Sequence, residues 1–149
     1  MKIRIDEKVH ASVERVFQTF ADVEEAQERI SGISKLEILS ETRSGKGLRW
    51  RETRRMMGQD ATEEMEITAF DAPHHYRVEA HSHGTHYQTD IDFTPDGDGT
   101  KVTWVFEGRA QTLPAKLMSL VGFLFVPMTR KALRQDVLDL KHYLENEAS

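Results

Sequence analysis

The chain of 149 residues contains no cysteine, which excludes a disulfide framework and a zinc ribbon. It has no surplus of cations. Its 20 Lys and Arg stand against 25 Asp and Glu, a formal net charge of -5. That balance argues against nucleic acid as a partner, because phosphate contacts need a concentrated basic surface. No apolar run approaches the roughly 20 residues that span a bilayer. The longest, from Leu117 to Met128, is already interrupted by Ser119, Gly122 and Pro127. Met1-Lys2-Ile3-Arg4 runs straight into a strand pattern, where a signal peptide would carry a long apolar stretch. There is no linker, internal repeat or low-complexity segment. The expectation is a soluble, cytoplasmic protein whose residues 1–149 form a single domain.

What is present is organised around the last stretch, Thr112 to Glu145, which reads as one long helix of two unlike halves. In the second half Leu133, Val137, Leu140 and Leu144 recur at helical spacing and share one face. The first half is apolar on every side, so it must be buried all round or must face something greasy that the monomer does not supply. Pro127 has no N–H for the carbonyl of Phe123, and a kink or break is expected there. The segment 117–128 is then either a lid over a pocket or an interface with a second copy.

Before the helix the chain reads as strands. Ile3, Ile5 and Val9 alternate with Lys2, Arg4 and Lys8. Two short helices follow, the first capped by Ser12 and the second opened by an Asp22–Glu25 capping box. From Leu36 onward, Gly58, Gly84 and the run Pro95 to Gly99 punctuate an antiparallel meander. With an even hairpin loop at Gly58, Arg54 falls opposite Glu63. Parity then sorts the faces. Trp50, Glu52, Arg54, Glu63, Met65, Ile67 and Ala69 point inward, joined by Tyr76, Val78, Ala80, Ser82, Tyr87, Thr89, Ile91, Phe93, Val102, Trp104 and Phe106. Arg51, Glu66, His81, Asp90 and their neighbours point to solvent. Six or seven strands with one wet and one apolar face need a cover, which the final helix supplies.

The chain resembles the START-like superfamily, also called SRPBCC, whose members include polyketide cyclases and lipid-transfer domains. The resemblance rests on Val9-His10-Ala11 leading into Val16-Phe17 and Phe20-Ala21-Asp22. It also rests on Glu66 to Pro73 as a strand ending in a proline turn, the Pro95 to Thr100 hairpin, and Leu140-Lys141 in a closing helix. It implies an α+β helix-grip fold: a curved antiparallel sheet, two short helices, and a long C-terminal helix over an apolar cavity. No catalytic motif of the family carries over residue by residue.

Among candidate sites, the inward-facing charges Glu52, Arg54 and Glu63 stand out. Buried charges are costly unless paired, so this cluster is expected to pair internally or to meet a polar ligand group, with Arg54 holding an anion. The competing reading places the cluster at the sheet rim. The aromatics Trp50, Tyr76, Tyr87, Phe93, Trp104 and Phe106, with Met65, Thr89 and Phe123, are the expected lining of an apolar ligand site. The histidines His81, His83 and His86 lie on the solvent face beside a turn, and no metal site is expected from them. No catalytic set and no cofactor fingerprint is found. The expected partner is a hydrophobic small molecule such as a lipid, an isoprenoid or an aromatic polyketide-like compound. Two rival expectations are a polyketide cyclase or aromatase using the pocket residues, and a module that forms a homodimer or docks through the apolar helix half.

Overall fold

A computed structural model describes residues 1–147, apart from the side chains of Val121 and Phe123. Seven strands form one antiparallel sheet: β1 (Lys2–Val9), β2 (Ile33–Ile38), β3 (Arg49–Met56), β4 (Gln59–Asp71), β5 (His75–Ser82), β6 (Thr85–Asp96) and β7 (Gly99–Ala110). Their order across the sheet is β1-β7-β6-β5-β4-β3-β2. Helices α1 (Val13–Ala21) and α2 (Ala26–Arg29) carry the chain from one sheet edge to the other. After β7 come α3 (Leu113–Gly122), a 3-10 turn (Phe123–Phe125) and α4 (Val126–Glu147). This is the expected helix grip.

The hairpins set the faces. Met57 and Gly58, with φ of 50° and 77°, make a two-residue turn of the kind that matches strand twist, and His83 and Gly84 repeat it. The β3–β4 register differs from the expected one. Arg54 pairs with Ala61 and Glu63 pairs with Glu52, because the turn centres on Met57–Gly58, one residue earlier than an Arg54–Glu63 pairing requires. A shift of two preserves side-chain parity, so the sorting of faces survives. Arg51 bonds Glu37 and Glu64 at 3.1 and 2.7 Å on the wet face, while Trp50 is buried.

Three local expectations change. A bulge between Ile67 and Ala69 turns Ala69 to the outer face opposite Arg77 and brings Phe70 inward opposite Tyr76. Phe70 then packs edge-on against Phe17, with ring centroids 5.2 Å apart. Ser12 does cap α1, accepting from the N–H of Arg15 at 3.3 Å. Asp22 makes no side-chain cap; its carboxylate accepts from Arg29 at 3.3 Å instead. The final helix is broken, as expected, but at Phe123–Phe125. Pro127 sits in the first turn of α4, where its missing N–H costs nothing.

The core fills one end of the sheet's inner face. Val16, Phe17 and Phe20 of α1 meet Tyr76, Ile91, Phe93 and Val102, and Val137, Leu140 and Leu144 of α4 close over them. Phe93 touches both Phe17 and Phe20 edge-on at 5.2 and 5.5 Å. Toward the other end, Met65, Val78, Tyr87, Thr89, Trp104 and Phe106 are only half-buried. The same sheet face thus offers a packed half and an incompletely covered half.

Candidate functional site

Two features occupy the space between sheet and helices. The first is polar. Strand β3 places Glu52 and Arg54 two residues apart, hence on the same face. The Nε of Arg54 donates to Glu52 at 2.7 Å, and its two Nη atoms donate to Asp136 of α4 at 3.0 and 2.6 Å. Trp50 Nε1 donates to the other Glu52 oxygen at 3.2 Å. Glu52 and Asp136 are both buried. Burial works against the Arg54 guanidinium, but Asp136 and Glu52 more than offset it and hold its pKa above the ordinary value. Burial pushes the Asp136 carboxyl up, opposed by the hydrogen bonds and charge of Arg54. Gly32 completes the setting, since a Cβ there would come within 3.0 Å of an Arg54 nitrogen.

This geometry assigns Arg54 a partner that the sequence reading did not contain. The guanidinium straps α4 to the sheet, and Asp136 and Glu52 take three of its five N–H donors, so a ligand anion would compete with two buried carboxylates for it. Glu63, the cross-strand neighbour of Glu52, gives its carboxylate to another partner and accepts from Ser82 Oγ at 3.0 Å. Asp136 escapes any reading that gives every charged residue of an amphipathic helix to its solvent face. A signal did exist: three residues after Leu133 and four before Leu140, it lies on the apolar stripe itself.

The second feature is a cavity of about 860 Å³, open to solvent on one side, between β6, β7, α3 and the start of α4. Tyr87, Gly108, Ala115, Met118, Phe125 and Val126 supply its apolar surface, with Thr85, Ser119 and Thr129 adding hydroxyls. Gly108 matters for steric reasons: a Cβ there would press on the Tyr87 ring at 3.1 Å. The absent side chain leaves Tyr87 room to lie over β7 and stack on Phe106, with centroids 5.6 Å apart. A smaller hollow of about 620 Å³ lies between α1 and the loops around Gly45 and Pro73.

The expected lining residues divide between these settings. Tyr87 lines the cavity. Phe106 stacks on Tyr87, and Thr89 and Met65 belong to the same half-buried region of the inner face. Trp50, Tyr76 and Phe93 are core residues; the Tyr76 hydroxyl donates to the carbonyl of Phe20 at 3.0 Å, and burial pushes its phenol pKa up. Trp104 packs on the core while its buried indole N–H has no acceptor among the described residues. The side chain of Phe123 lies outside the described residues. Sequence reasoning missed Ala115, Met118, Phe125 and Val126 as lining residues because an all-apolar helix does not show which side faces inward.

The histidines take other partners. His86 bonds Glu79 at 2.8 Å and stacks on His81, and His75 bonds Asp90 at 2.9 Å. His83, at the cavity mouth, lies 2.8 Å from Ser82 Oγ through its Nδ1. Among the described residues, no three His, Asp or Glu side chains converge as metal ligands. Among them, too, no helix is long and apolar enough to cross a membrane.

Known structures share this architecture. TTHA0849 from Thermus thermophilus superposes with a TM-score of 0.83 at 19% identity, each chain covered in full. A START superfamily protein from Mycobacterium smegmatis gives 0.74 at 14% identity, with 97% of each chain covered. The di-domain ARO/CYC StfQ from the steffimycin biosynthetic pathway gives 0.78 at 10% identity, with 99% of this chain aligned to 51% of that one. At such identities the likeness is one of fold. No curated protein sequence matches. The family model described as polyketide cyclase / dehydrase and lipid transport matches residues 2–145, and the chain belongs to that family.

Proposed function

We propose that the protein binds a hydrophobic small molecule, without transforming it, in the cavity between β6–β7 and α3. The observation that carries this reading is the size and lining of the cavity. About 860 Å³ bounded by Tyr87, Met118, Phe125 and Val126 suits a ligand of lipid, isoprenoid or aromatic polyketide size. The half-buried residues Thr89, Phe106 and Met65 share the inner face with Tyr87, and the indole N–H of Trp104, without an acceptor among the described residues, is a donor for a ligand oxygen that reaches past Phe106. Arg54 and Glu52 support the site by fixing α4, without contacting the ligand. Native mass spectrometry of freshly purified protein tests the idea by seeking a co-purified apolar molecule, and an environment-sensitive apolar fluorophore tests it by titration. A Tyr87→Ala variant should bind the fluorophore several-fold more weakly. Unchanged affinity in that variant, with no co-purified molecule, would remove the reading.

One observation favours a second reading, acid–base chemistry of the cyclase type. Ser82 lies between Glu63 and His83, and donating its proton to Glu63 obliges His83 Nδ1 to donate to Ser82. His83 Nε2 is then left with a lone pair at the cavity mouth, where a general base would be needed. A poly-β-ketone thioester probe decides: turnover abolished by His83→Gln, with binding retained, would establish an enzyme.

A further inference from the structure

The segment from Gly108 to Gln135 contains five cations, Arg109, Lys116, Arg130, Lys131 and Arg134, and no acidic residue. Elsewhere the remaining 15 Lys and Arg face all 25 Asp and Glu, so an acidic protein keeps one wholly basic segment. The same segment holds the large exposed apolar surface. Leu113, Leu117 and Leu120 follow one another at helical spacing along α3, Leu124 follows in the 3-10 turn, and the four are 61–71% exposed. Met118 and Phe125 widen the patch at 69% and 47% exposed, and they also line the cavity. A contiguous apolar surface of this kind marks an interaction site. Arg109 and Arg134 are paired with Glu107 and Glu7 at 2.8 and 3.5 Å. Lys116, Arg130 and Lys131 are exposed around the patch, with Arg130 also donating to the carbonyl of Arg4 at 3.2 Å.

We propose that α3 and the first turns of α4 form a docking surface for an anionic lipid bilayer. The leucine stripe enters the boundary between headgroups and acyl chains, and Lys116, Arg130 and Lys131 meet lipid phosphates. This rests on the reading of the cavity as a hydrophobic-ligand site, because docking sets its Met118–Phe125 wall against the membrane from which such a ligand would come. Apolar and cationic residues on one exposed surface are the pattern of interfacial membrane helices. A second copy fits the patch less well. An isologous contact would bring two basic segments together with no carboxylate from either. No crossing of the bilayer is implied, since among the described residues no helix is long and apolar enough.

The test is co-sedimentation of the full chain with vesicles of phosphatidylglycerol and phosphatidylcholine in equal parts, or of phosphatidylcholine alone. Binding should require the anionic lipid and weaken with salt. Leu117→Asp/Leu120→Asp should abolish it. Lys116→Gln/Lys131→Gln should lower affinity about 25-fold, at about fivefold for each lysine. Leu117 and Leu120 are exposed and do not line the cavity, so the thermal midpoint and fluorophore binding without vesicles should match the parent in the aspartate variant. Equal binding to neutral vesicles, or binding that survives the aspartate pair, would overturn the proposal. So would a concentration-dependent dimer, broken by the aspartate pair, in a protein that binds no vesicles. Loss of fluorophore binding with vesicle docking retained would count against the cavity reading alone.

Discussion

Arg54 on β3 and Asp136 on α4, 82 positions apart in sequence, form a two-pronged ion pair at 3.0 and 2.6 Å that fixes the final helix to the sheet. The Asp136 side chain is 4% exposed and that of Arg54 23%, so solvent screens the pair little. Removing one partner leaves an uncompensated buried charge, which typically costs about 3–5 kcal/mol.

Arg54→Ala should therefore lower unfolding free energy by about 3 kcal/mol in a denaturant titration, while fluorophore affinity changes less than twofold. Arg54→Met combined with Asp136→Leu and Glu52→Gln should recover most of the loss, because the three buried charges leave together and the amide oxygen at 52 can still accept from Trp50. A large fall in ligand affinity with stability intact would return Arg54 to the role of ligand anchor.

Asp139 gives a pH signature. Partial burial raises its carboxyl, but bonds from the Ser31 N–H and hydroxyl at 2.9 and 2.7 Å and from Gln135 outweigh this and depress its pKa. A depressed folded-state pKa contributes stability above the unfolded value of about 3.9, lost as pH falls through the folded value. Asp139→Asn should cost on the order of 1 kcal/mol at neutral pH, solvent screening included. The parent–variant gap should close below about pH 4 as the parent carboxylate is protonated. Thermal unfolding followed across that range checks it, and a gap constant with pH would refute the assignment.

The sheet was legible because inward and outward residues alternate with a period that tolerates an error of two. Arg54 was set opposite the wrong residue, yet Trp50 and Arg51 still fell on their proper faces. The bulge at Thr68 was not legible, since an extra residue leaves no mark in an alternation already broken by Thr68-Ala69-Phe70. The Arg54–Asp136 strap joins a strand to a helix over a distance that local periodicity does not measure. Four neighbours of the cavity were hidden in α3 and the turns after it, where every side is apolar and the pattern points nowhere.

The break at Phe123–Phe125 separates a weakly anchored helix from a strongly anchored one. Among the described residues Ala115 is the buried side chain of α3, whereas α4 buries Asp136, Val137, Leu140 and Leu144. Local opening costs less than global unfolding where few apolar contacts hold a segment. Amide hydrogen exchange should be faster across 113–122 than across 133–144 in the empty protein, and should slow in α3 when a cavity ligand is added. Equal, slow exchange in both segments would show α3 to be an integral part of the packed fold.

Gly122 offers the cleanest way to separate cavity from fold. It lies on the cavity wall at the end of α3, and a Cβ placed on it would meet nothing within 4 Å among the described residues beyond its chain neighbours. A leucine there has open space to enter at its Cβ among the described residues. Replacing glycine in a helix also removes a backbone-entropy cost of about 0.5–1 kcal/mol. Gly122→Leu should therefore unfold at the same temperature as the parent or slightly higher. Its side chain would occupy volume that a ligand needs, and fluorophore affinity should fall at least about tenfold, the effect of losing about 1.4 kcal/mol of binding. Thermal unfolding and fluorophore titration of the same preparation give both answers. Unaltered affinity with unaltered stability would mean that the cavity beneath α3 is not where the ligand sits.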